Sequence, residues 1–475
     1  MSGALELSKM LLNTVAQPAY DVYNGMVTIV SARGNQTTSG ANDTSKLVTL
    51  ELTTEDIQFY MTLKLIWAFA ICFVGLGTAF TVLYYMYVLF FVPYERVKRL
   101  GSIGYLNHEA GQPSKKEIAN LIRKRRKIGE DLPPVYPNGW FRLVDSLQLK
   151  KGEVKEVSAI GQHFAVFRTQ TGKAHILDAY CPHMGGNLGV GGQVKGECLE
   201  CPFHGWVFSG KGECVKIPYS EKVPSFAKTK SWPSREVNGA VFVWYHCDGV
   251  EPEWELPVVE DIANGNCNYL GRVEHHVNTH IQDLPENGSD QAHLSHLHVP
   301  NALSGNDLST QFSSSWNFAQ HIFKAYSKGS DEDTPHISKF DLTHYLLIFN
   351  RWRFLQMFFK VYQIGPGCVH LHFTSLLWKG VFVQTVTPLE PLHQVITHNL
   401  YGGWTVPLWL GRIFLFLEAV QVDRDVMIWN NKTFRPRPKL VKEDNLIAKY
   451  RRWFAQFYTE NSPRLQMKTE DDASW

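Results

Sequence analysis

The chain has 475 residues, 44% of them hydrophobic and 13% aromatic, which is enough for a large core divided over two or three domains. Its 47 Lys and Arg residues nearly balance 45 Asp and Glu residues, and a net charge of +2 argues against a nucleic acid or an acidic polymer as partner. The eight cysteines are too sparse for the disulfide framework of a small secreted domain, so they are interpreted as reduced thiols and metal ligands.

An uncharged apolar run, LIWAFAICFVGLGTAFTVLYYMYVLFFV, follows a polar N-terminal tail at 1–62. About 20 apolar residues cross a bilayer core, so we predict a transmembrane helix over 63–92 in preference to a buried helix of a globular domain. The run starts too late in the chain for a cleaved signal peptide. The basic cluster 123–127 places the C-terminal part in the cytosol, and the Asn-x-Thr sequons at Asn35 and Asn42 then lie in a luminal tail.

The remaining chain divides into a basic juxtamembrane linker at 93–137, two folded domains at 138–250 and 251–460, and a C-terminal tail at 461–475. In the first domain, short runs such as HFAVFR and GAVFVWYH alternate with turns rich in Gly, Pro and Asn, which predicts a small antiparallel β domain. In the second, longer strand-like stretches alternate with shorter helical ones. This pattern predicts an α+β domain around an antiparallel sheet, and α+β as the fold class of the chain.

Two cysteines and two histidines form the first candidate metal motif. Cys181 and His183 make a C-x-H pair, and Cys201 and His204 make a C-x-x-H pair. A Rieske [2Fe–2S] centre needs these ligands, because thiolates hold one iron and neutral imidazoles the other. The glycines between the pairs allow the backbone to approach the sulfurs closely. A structural zinc site is the alternative, although zinc fingers usually pair Cys with Cys and His with His.

The second candidate motif lies in ENGSDQAHLSHLH, which reads N-x-x-D-x-x-H-x-x-x-x-H. Asp290 and His293 have the spacing of neighbours on one helix face, and His293 and His298 supply two imidazoles. Two histidines and one carboxylate form the facial triad of non-haem Fe(II), which leaves positions open for O₂ and substrate. The carboxylate must come from elsewhere in the chain. The stretch QVDRDVMIWNN offers Asp423 and Asp425, and the spacing leaves both open.

With both motifs, residues 138–460 resemble the α-subunits of Rieske non-haem iron oxygenases. The N-terminal span and the blocks CPHMGGNLGVGG and QDLPENGSDQAHLSHLH are most similar to the animal Neverland family, the cholesterol 7-desaturases. A similarity to bacterial 3-ketosteroid 9α-hydroxylases also exists. The resemblance implies a small all-β Rieske domain and a catalytic α+β domain with a helix-grip-like antiparallel sheet.

The resemblance also assigns the residues of both centres. It implies that Cys181, His183, Cys201 and His204 hold a [2Fe–2S] cluster, and that His293, His298 and Asp425 bind a mononuclear Fe(II). Asp425 is preferred to Asp423 because its D-x-x-I-W context resembles the stretch that supplies the third ligand in Rieske oxygenases, and Asn287 matches an Asn near the iron. Asp290 is the implied catalytic residue that bridges to a cluster His of a neighbouring subunit, which implies a head-to-tail homotrimer.

The implied reaction is the conversion of the sterol cholesterol to 7-dehydrocholesterol with O₂, in steroid hormone synthesis. Because no glycine-rich dinucleotide fingerprint follows a strand, electrons must come from NAD(P)H through a separate reductase. Hydroxylation of a steroid or another hydrophobic molecule is the alternative, since the outcome depends on fine placement of the substrate. We expect a single-pass membrane protein of the endoplasmic reticulum with its catalytic part in the cytosol.

Overall fold

The structure is a computed structural model that describes residues 22–23, 26–27, 50–51, 54–105, 114–124 and 132–465. It separates into two compact units, residues 1–87 and 88–475. The elements that begin in the first unit are β1 (Val22–Tyr23), β2 (Met26–Val27), β3 (Leu50–Glu51) and helix α1 (Thr54–Phe91), the three strands forming one antiparallel sheet. The sequons at Asn35 and Asn42 lie outside the described residues.

Helix α1 contains the predicted transmembrane segment and starts earlier than residue 63, because residues 54–62 also accept helical geometry. Its residues 58–91 are long and apolar enough to cross a membrane, and none of the most apolar stretch is buried. Thr78 and Thr81 donate their hydroxyls to the carbonyls of Val74 and Gly77, so these polar groups are satisfied within the helix. The helix is a candidate membrane span.

The segment expected as a basic linker at 93–137 contains regular structure. Its elements are β4 (Tyr94–Lys98) and α2 (Lys115–Lys124). Strand β4 pairs in parallel with residues 271–275, and the Lys98 ammonium lies 2.6 Å from the Asp423 carboxylate. The basic residues that suggest a solvated linker thus include one that neutralises a buried acid, which the composition of the segment does not reveal.

The small β domain consists of three sheets with strand orders β13-β14-β5, β6-β7-β8 and β12-β11-β10-β9. Their bounds are β5 (Gly139–Asp145), β6 (Val154–Ala159), β7 (Gln162–Arg168), β8 (Ala174–Asp178), β9 (Gln193–Lys195), β10 (Cys198–Glu200), β11 (Val207–Ser209), β12 (Cys214–Lys216), β13 (Ser234–Val237) and β14 (Ala240–Tyr245). Because successive side chains of β7 alternate, Phe164 and Val166 enter one buried cluster while Ala165 and Phe167 enter another. The second cluster includes Cys181 and Cys201.

The larger domain is built on an eight-stranded sheet of order β16-β17-β18-β19-β20-β21-β15-β4. Its further strands are β15 (Cys267–Val277), β16 (Ala319–Gly329), β17 (Ile337–Ile348), β18 (Trp352–Ile364), β19 (Cys368–Thr374), β20 (Lys379–Glu390) and β21 (His393–Gly403). Its helices are α3 (Glu260–Ala263), α4 (Asp283–Glu286), α5 (Gln291–His296), α6 (Leu408–Trp429) and α7 (Asn445–Ala455). Short 3₁₀ turns lie at Ser146–Gln148, Asn287–Ser289, Ala302–Ser304, Gln311–Ser313, Ser315–Phe318 and Lys442–Asp444. The α+β prediction is confirmed.

Helix α6 packs on one face of this sheet. Leu400 of β21 and Phe373 of β19 form a buried cluster with Phe414 and Leu415 of the helix. Alternate residues of a strand face the same side, so the strand register fixes which other side chains point toward α6. They include Phe359, Leu371, Phe382, Gln384 and His398. The space between α6 and the sheet is therefore lined mainly by apolar groups.

A buried charge cluster joins the two domains. The Asp145 carboxylate accepts hydrogen bonds from Arg142 at 2.7 Å, from Arg272 of β15 at 2.6 Å and from Asn399 of β21 at 3.0 Å. Burial disfavours the Asp145 anion, but the neighbouring guanidinium groups outweigh this effect and lower the pKa of the carboxyl. Separating the two domains would leave these buried charges unpaired, so the cluster fixes the position of one domain against the other.

Candidate metal centres

The first candidate centre lies on two loops of matching geometry in the small β domain. In the loop after β8, the Cys181 N–H donates to the Gly186 carbonyl at 2.9 Å, and the Gly185 N–H donates back to the Cys181 carbonyl at 2.9 Å. In the loop after β10, the Cys201 N–H donates to the Trp206 carbonyl at 2.8 Å, and the Gly205 N–H donates to the Cys201 carbonyl at 3.1 Å. Gly185 and Gly205 have φ of 74° and 70°, which glycine adopts without strain. Each loop thus presents one Cys at its base.

These loops bring together the four predicted ligands. The His183 and His204 rings have centroids 4.6 Å apart, and His183 stacks on Trp206 at 4.8 Å. The Trp206 indole N–H donates to the Tyr219 hydroxyl at 2.8 Å, which fixes the ring against which His183 rests. A Cβ at Gly186 would come 3.1 Å from the Cys201 sulfur, so this glycine permits the close approach of the two loops.

The donor set fits a [2Fe–2S] cluster. Nδ1 of His183 is buried and has no hydrogen-bond partner among the described residues, as expected of a nitrogen that ligates a metal. Burial, and then the neighbouring Cys201, raise the pKa of the Cys181 thiol to about 11. A bound cation would compensate the negative charge of the Cys181 thiolate.

The second candidate centre combines side chains from α5, the segment after it, and α6. Ligand atoms of His293, His298 and Asp425 all lie within 4.8 Å of one another. His298 Nε2 is 3.1 Å and His293 Nε2 is 3.9 Å from Asp425 Oδ1. The Asn287 amide donates to the same oxygen at 3.2 Å. The structure therefore gathers two imidazoles and one carboxylate, the donor set that suits non-haem Fe(II).

The other ring nitrogen of each histidine is already engaged. His293 Nδ1 lies 2.6 Å from the Asp290 carbonyl, and His298 Nδ1 lies 2.8 Å from the Gln421 amide oxygen. Both acceptors select the tautomer that donates from Nδ1, which leaves Nε2 as the lone-pair donor to a metal. Burial disfavours protonation of His298, but Asp425 outweighs it and raises the pKa, whereas burial lowers the pKa of His293. The fit to a mononuclear iron is good.

The spacing predicts that Asp290 and His293 lie in one helix, but Asp290 lies just before its first residue. It is the N-cap of α5, and its carboxylate accepts the backbone N–H groups of Ala292 and His293 at 3.0 and 3.1 Å. The expectation that Asp290 belongs to the helix was wrong, because an Asp competes for orphan N–H groups at a helix start. Asp290 nevertheless contacts His293 through both its side chain and its carbonyl.

Asp423 turns away from the two histidines. Its carboxylate contacts Lys98 at 2.6 Å, His275 Nε2 at 3.2 Å and the Asn306 amide at 3.3 Å. Lys98 belongs to β4 and His275 to β15, and Asn306 lies in the loop after the 3₁₀ turn Ala302–Ser304. The structure thus separates the two aspartates that the sequence left as alternatives, and Asp425 is the one beside the histidines.

Three functional candidates on α6 escape the sequence analysis. Gln421 orients His298, and Arg424 is fully buried and donates to the carbonyls of Pro300, Asn301 and Gly305. Glu418 lies one turn before Gln421. Positions 418, 421 and 425 follow helical spacing, so the sequence places them on one side of a helix. This spacing indicates a role near the iron site only if Asp425 is known to lie there.

Comparisons with known proteins agree with this geometry. A family model described as the Rieske [2Fe-2S] domain matches residues 139–227, and one described as the 3-ketosteroid 9alpha-hydroxylase C-terminal domain matches residues 243–458. A solved structure of dicamba monooxygenase bound to 3,6-dichlorosalicylic acid superposes with a TM-score of 0.52, covering 68% of this chain and 97% of its own at 14% identity. The fold and the two sites define a Rieske-type non-haem iron oxygenase.

Relatives of similar sequence show to which family of Rieske-type oxygenases the chain belongs. The protein named cholesterol 7-desaturase nvd 1 of Ciona intestinalis is 63% identical over 99% of both chains. The cholesterol 7-desaturase nvd of Xenopus laevis is 48% identical over 80% of this chain and 83% of its own. The chain belongs to the cholesterol 7-desaturase family, which confirms the resemblance seen in the sequence.

Proposed function

We propose that the protein is a cholesterol 7-desaturase that removes two hydrogens from cholesterol to form 7-dehydrocholesterol. One O₂ accepts these hydrogens together with two electrons and two protons and leaves as two waters. The electrons come from NAD(P)H through a separate reductase. The observation that carries the proposal is the set His293, His298 and Asp425 within 4.8 Å, in a chain 63% identical to a named cholesterol 7-desaturase.

The contacts described above support an assignment of the residues that hold the two centres. We assign Cys181, His183, Cys201 and His204 to the [2Fe–2S] cluster and His293, His298 and Asp425 to the mononuclear Fe(II). When bound, the cluster supplies electrons singly and the iron activates O₂. The protein contributes orientation, because Gln421 and the Asp290 carbonyl fix the two imidazoles and Asn287 fixes Asp425.

Asp290 is assigned as the residue through which a neighbouring subunit communicates with the iron site. Its carboxylate and its carbonyl both contact His293, and its side chain is only partly buried. A group tied to an iron ligand and reachable from outside suits a contact across an interface. A head-to-tail homotrimer, as in the implied family arrangement, would supply the cluster of one chain to the iron of the next.

The enzyme is proposed to sit in the membrane of the endoplasmic reticulum with its catalytic part in the cytosol. Arg412 of α6 donates to the carbonyls of Val88 and Val92, at the end of the apolar run, at 2.8 and 2.9 Å. Near it, Trp404 and Trp409 expose 86% and 37% of their surfaces. Tryptophan prefers the membrane–water interface, which supports a bilayer boundary along this side of α6.

The test is a sterol assay. The full-length protein in microsomes, supplied with a reductase, NADPH and cholesterol, is expected to yield a sterol with two hydrogens fewer by mass spectrometry. Asp425→Ala is the matched inactive control. A product that instead gains one oxygen atom would favour the alternative, steroid hydroxylation, which the match to a 3-ketosteroid 9alpha-hydroxylase domain supports.

The orientation has its own test. An endoglycosidase is expected to change the gel mobility of the protein expressed in animal cells, and the change should disappear in the double variant Asn35→Gln, Asn42→Gln. A tail that is cut by protease added to sealed microsomes would reverse the assigned orientation.

A further inference from the structure

Helix α6 carries a polar stripe that extends beyond the iron ligands. Glu418, Gln421 and Asp425 are spaced so that they share one side of the helix. Gln421 and Asp425 both contact His298, at 2.8 and 3.1 Å. Glu418 therefore continues the same side toward the N-terminus, two turns or about 10.5 Å along the axis from Asp425.

The Glu418 carboxyl has hydrogen-bonding capacity to spare. Among the described residues its nearest ionisable partner is His398, whose Nε2 lies 3.8 Å from Oε1, beyond hydrogen-bond distance. His398 is 4% exposed, and its Nδ1 is buried without a partner. A carboxyl and an imidazole thus face each other at a spacing that a small polar group from a ligand could bridge.

This pair lies between α6 and strand β21 of the sheet. The Glu418 side chain is 41% accessible to water, yet the protein around it raises the pKa of the carboxyl to about 7, through burial first and Asp425 as a smaller contribution that the nearby His298 opposes. The Glu418 carboxyl is thus open to water on one side, while the His398 ring that faces it is buried. His398 faces α6 from β21, opposite Gln384 of β20.

The neighbouring side chains on this face of the sheet are mainly apolar. Phe382 and Leu371 face α6 beside Gln384, and Met357 and Phe359 continue the same side of the sheet with partial exposure. The described residues contain another polar pair near the iron ligands, His321 and His344, which bind each other at 2.8 Å, although His344 Nδ1 has no partner. This side of the sheet is therefore mainly apolar, and Glu418 and His398 form a polar pair on it that no direct hydrogen bond joins.

We propose that Glu418, with His398 beside it, binds the hydroxyl group of the sterol substrate and thereby positions the ring to be oxidised at the iron. This inference rests on the proposed function. A sterol of this kind has one polar group, a hydroxyl on its first ring, and the carbon that is oxidised lies in the adjoining fused ring. The carboxylate accepts the hydroxyl hydrogen, and the imidazole N–H donates to the hydroxyl oxygen. Two helical turns between Glu418 and Asp425 suit this short separation.

The experiment measures equilibrium binding of radiolabelled cholesterol and of its 3-methyl ether to the full-length holoenzyme in nanodiscs. The ether keeps the ring system and loses the donated hydrogen. The wild type is expected to bind cholesterol at least about tenfold more tightly than the ether, the loss expected for one hydrogen bond to a charged group. In Glu418→Leu the ratio should fall close to one because binding of cholesterol weakens. Glu418→Gln, which keeps the shape and a hydrogen-bonding group, should retain part of the preference.

The control variant is Glu443→Leu, an exposed acid in the 3₁₀ turn before α7, which should keep the wild-type ratio. The absorbance of the cluster and the iron content show that each variant is folded and loaded. An unchanged ratio of cholesterol binding to ether binding in Glu418→Leu would overturn the assignment. If turnover of both sterols also fell equally in that variant, Glu418 would act as a proton donor instead. A wild type that binds both sterols but desaturates neither would contradict the proposed function and leave the binding ratio as a separate result.

Discussion

The two candidate metal centres differ in how they are assembled. The ligands of the first come from residues 181–204, on two loops held by hydrogen bonds between residues five or fewer apart. The ligands of the second come from α5, the following segment and α6, and His298 and Asp425 are separated by 127 residues. A centre built on local loops is nearly complete once the loops form, whereas the second exists only after α6 has packed on the sheet. Substitutions should therefore affect the two centres independently.

The largest effect is expected from removing a ligand of the second centre. Asp425→Ala should abolish turnover and the mononuclear iron while the reduced protein keeps its Rieske electron-paramagnetic signal, because the backbone hydrogen bonds that hold the cluster loops, among the described residues, involve none of α6. The loss should exceed the roughly 10–100-fold cost of changing an outer partner of a metal ligand. Loss of the cluster signal in this variant would show that the centres are coupled in folding. Full activity would refute the assignment of Asp425.

Asp423→Asn separates the role of this residue from that of Asp425. The substitution leaves Lys98 and His275 beside a neutral amide in a buried position, which should lower the free energy of unfolding by about 3 kcal/mol. Chemical denaturation measures this change. At a temperature where the variant is folded, its iron content should match that of the wild type. Selective loss of iron without a loss of stability would instead make Asp423 the ligand.

Gln421→Leu tests how far the long-range centre depends on its surroundings. His298 loses the acceptor that fixes its tautomer, so affinity for Fe(II) should fall roughly 10–100-fold while the cluster is retained. Titration of the iron-depleted protein with Fe(II) measures the change. Gln421→Glu, which keeps an acceptor, should restore most of the affinity, and equal losses in the two variants would mean that packing and not the hydrogen bond is responsible.

The smallest effect is expected for a partner of the loop-built centre. Trp206→Phe keeps a ring beside His183 but removes the indole N–H that donates to Tyr219, worth about 1 kcal/mol. The cluster should still assemble, and its visible absorbance should be lost at a temperature a few degrees lower. Tyr219→Phe removes the same bond from the other side and should have a similar effect. A complete loss of cluster in either variant would contradict the view that the loops are locally self-sufficient.

The same difference explains what the sequence could predict. The C-x-H and C-x-x-H pairs lie close together, and the strand alternation around them indicated the small β domain correctly. For the second centre the sequence identified His293 and His298 but left Asp423 and Asp425 open. The two residues are two positions apart on one helix and point to nearly opposite sides of it, so only packing decides which carboxylate meets the histidines and which meets Lys98.

Other features of the structure could not be predicted from local sequence patterns. Nothing in YERVK indicates that it joins the large sheet in parallel with β15, because the partner strand lies far along the chain. The N-cap role of Asp290 was hidden by a spacing that also suits the interior of a helix. The contribution of Gln421 depends on an amide that is neutral and common on helices, so its residue type carried no signal.

The pairing of β4 has a practical consequence for producing a soluble form of the enzyme. A truncation placed anywhere in the basic stretch beyond residue 98 would remove an edge strand and strip Asp423 of its ammonium partner, so it would damage the helix that carries Asp425 as well as remove the candidate membrane span. A cut before Tyr94 keeps that strand. The water-soluble fragment with the best prospect of holding both metals therefore starts directly after the apolar run.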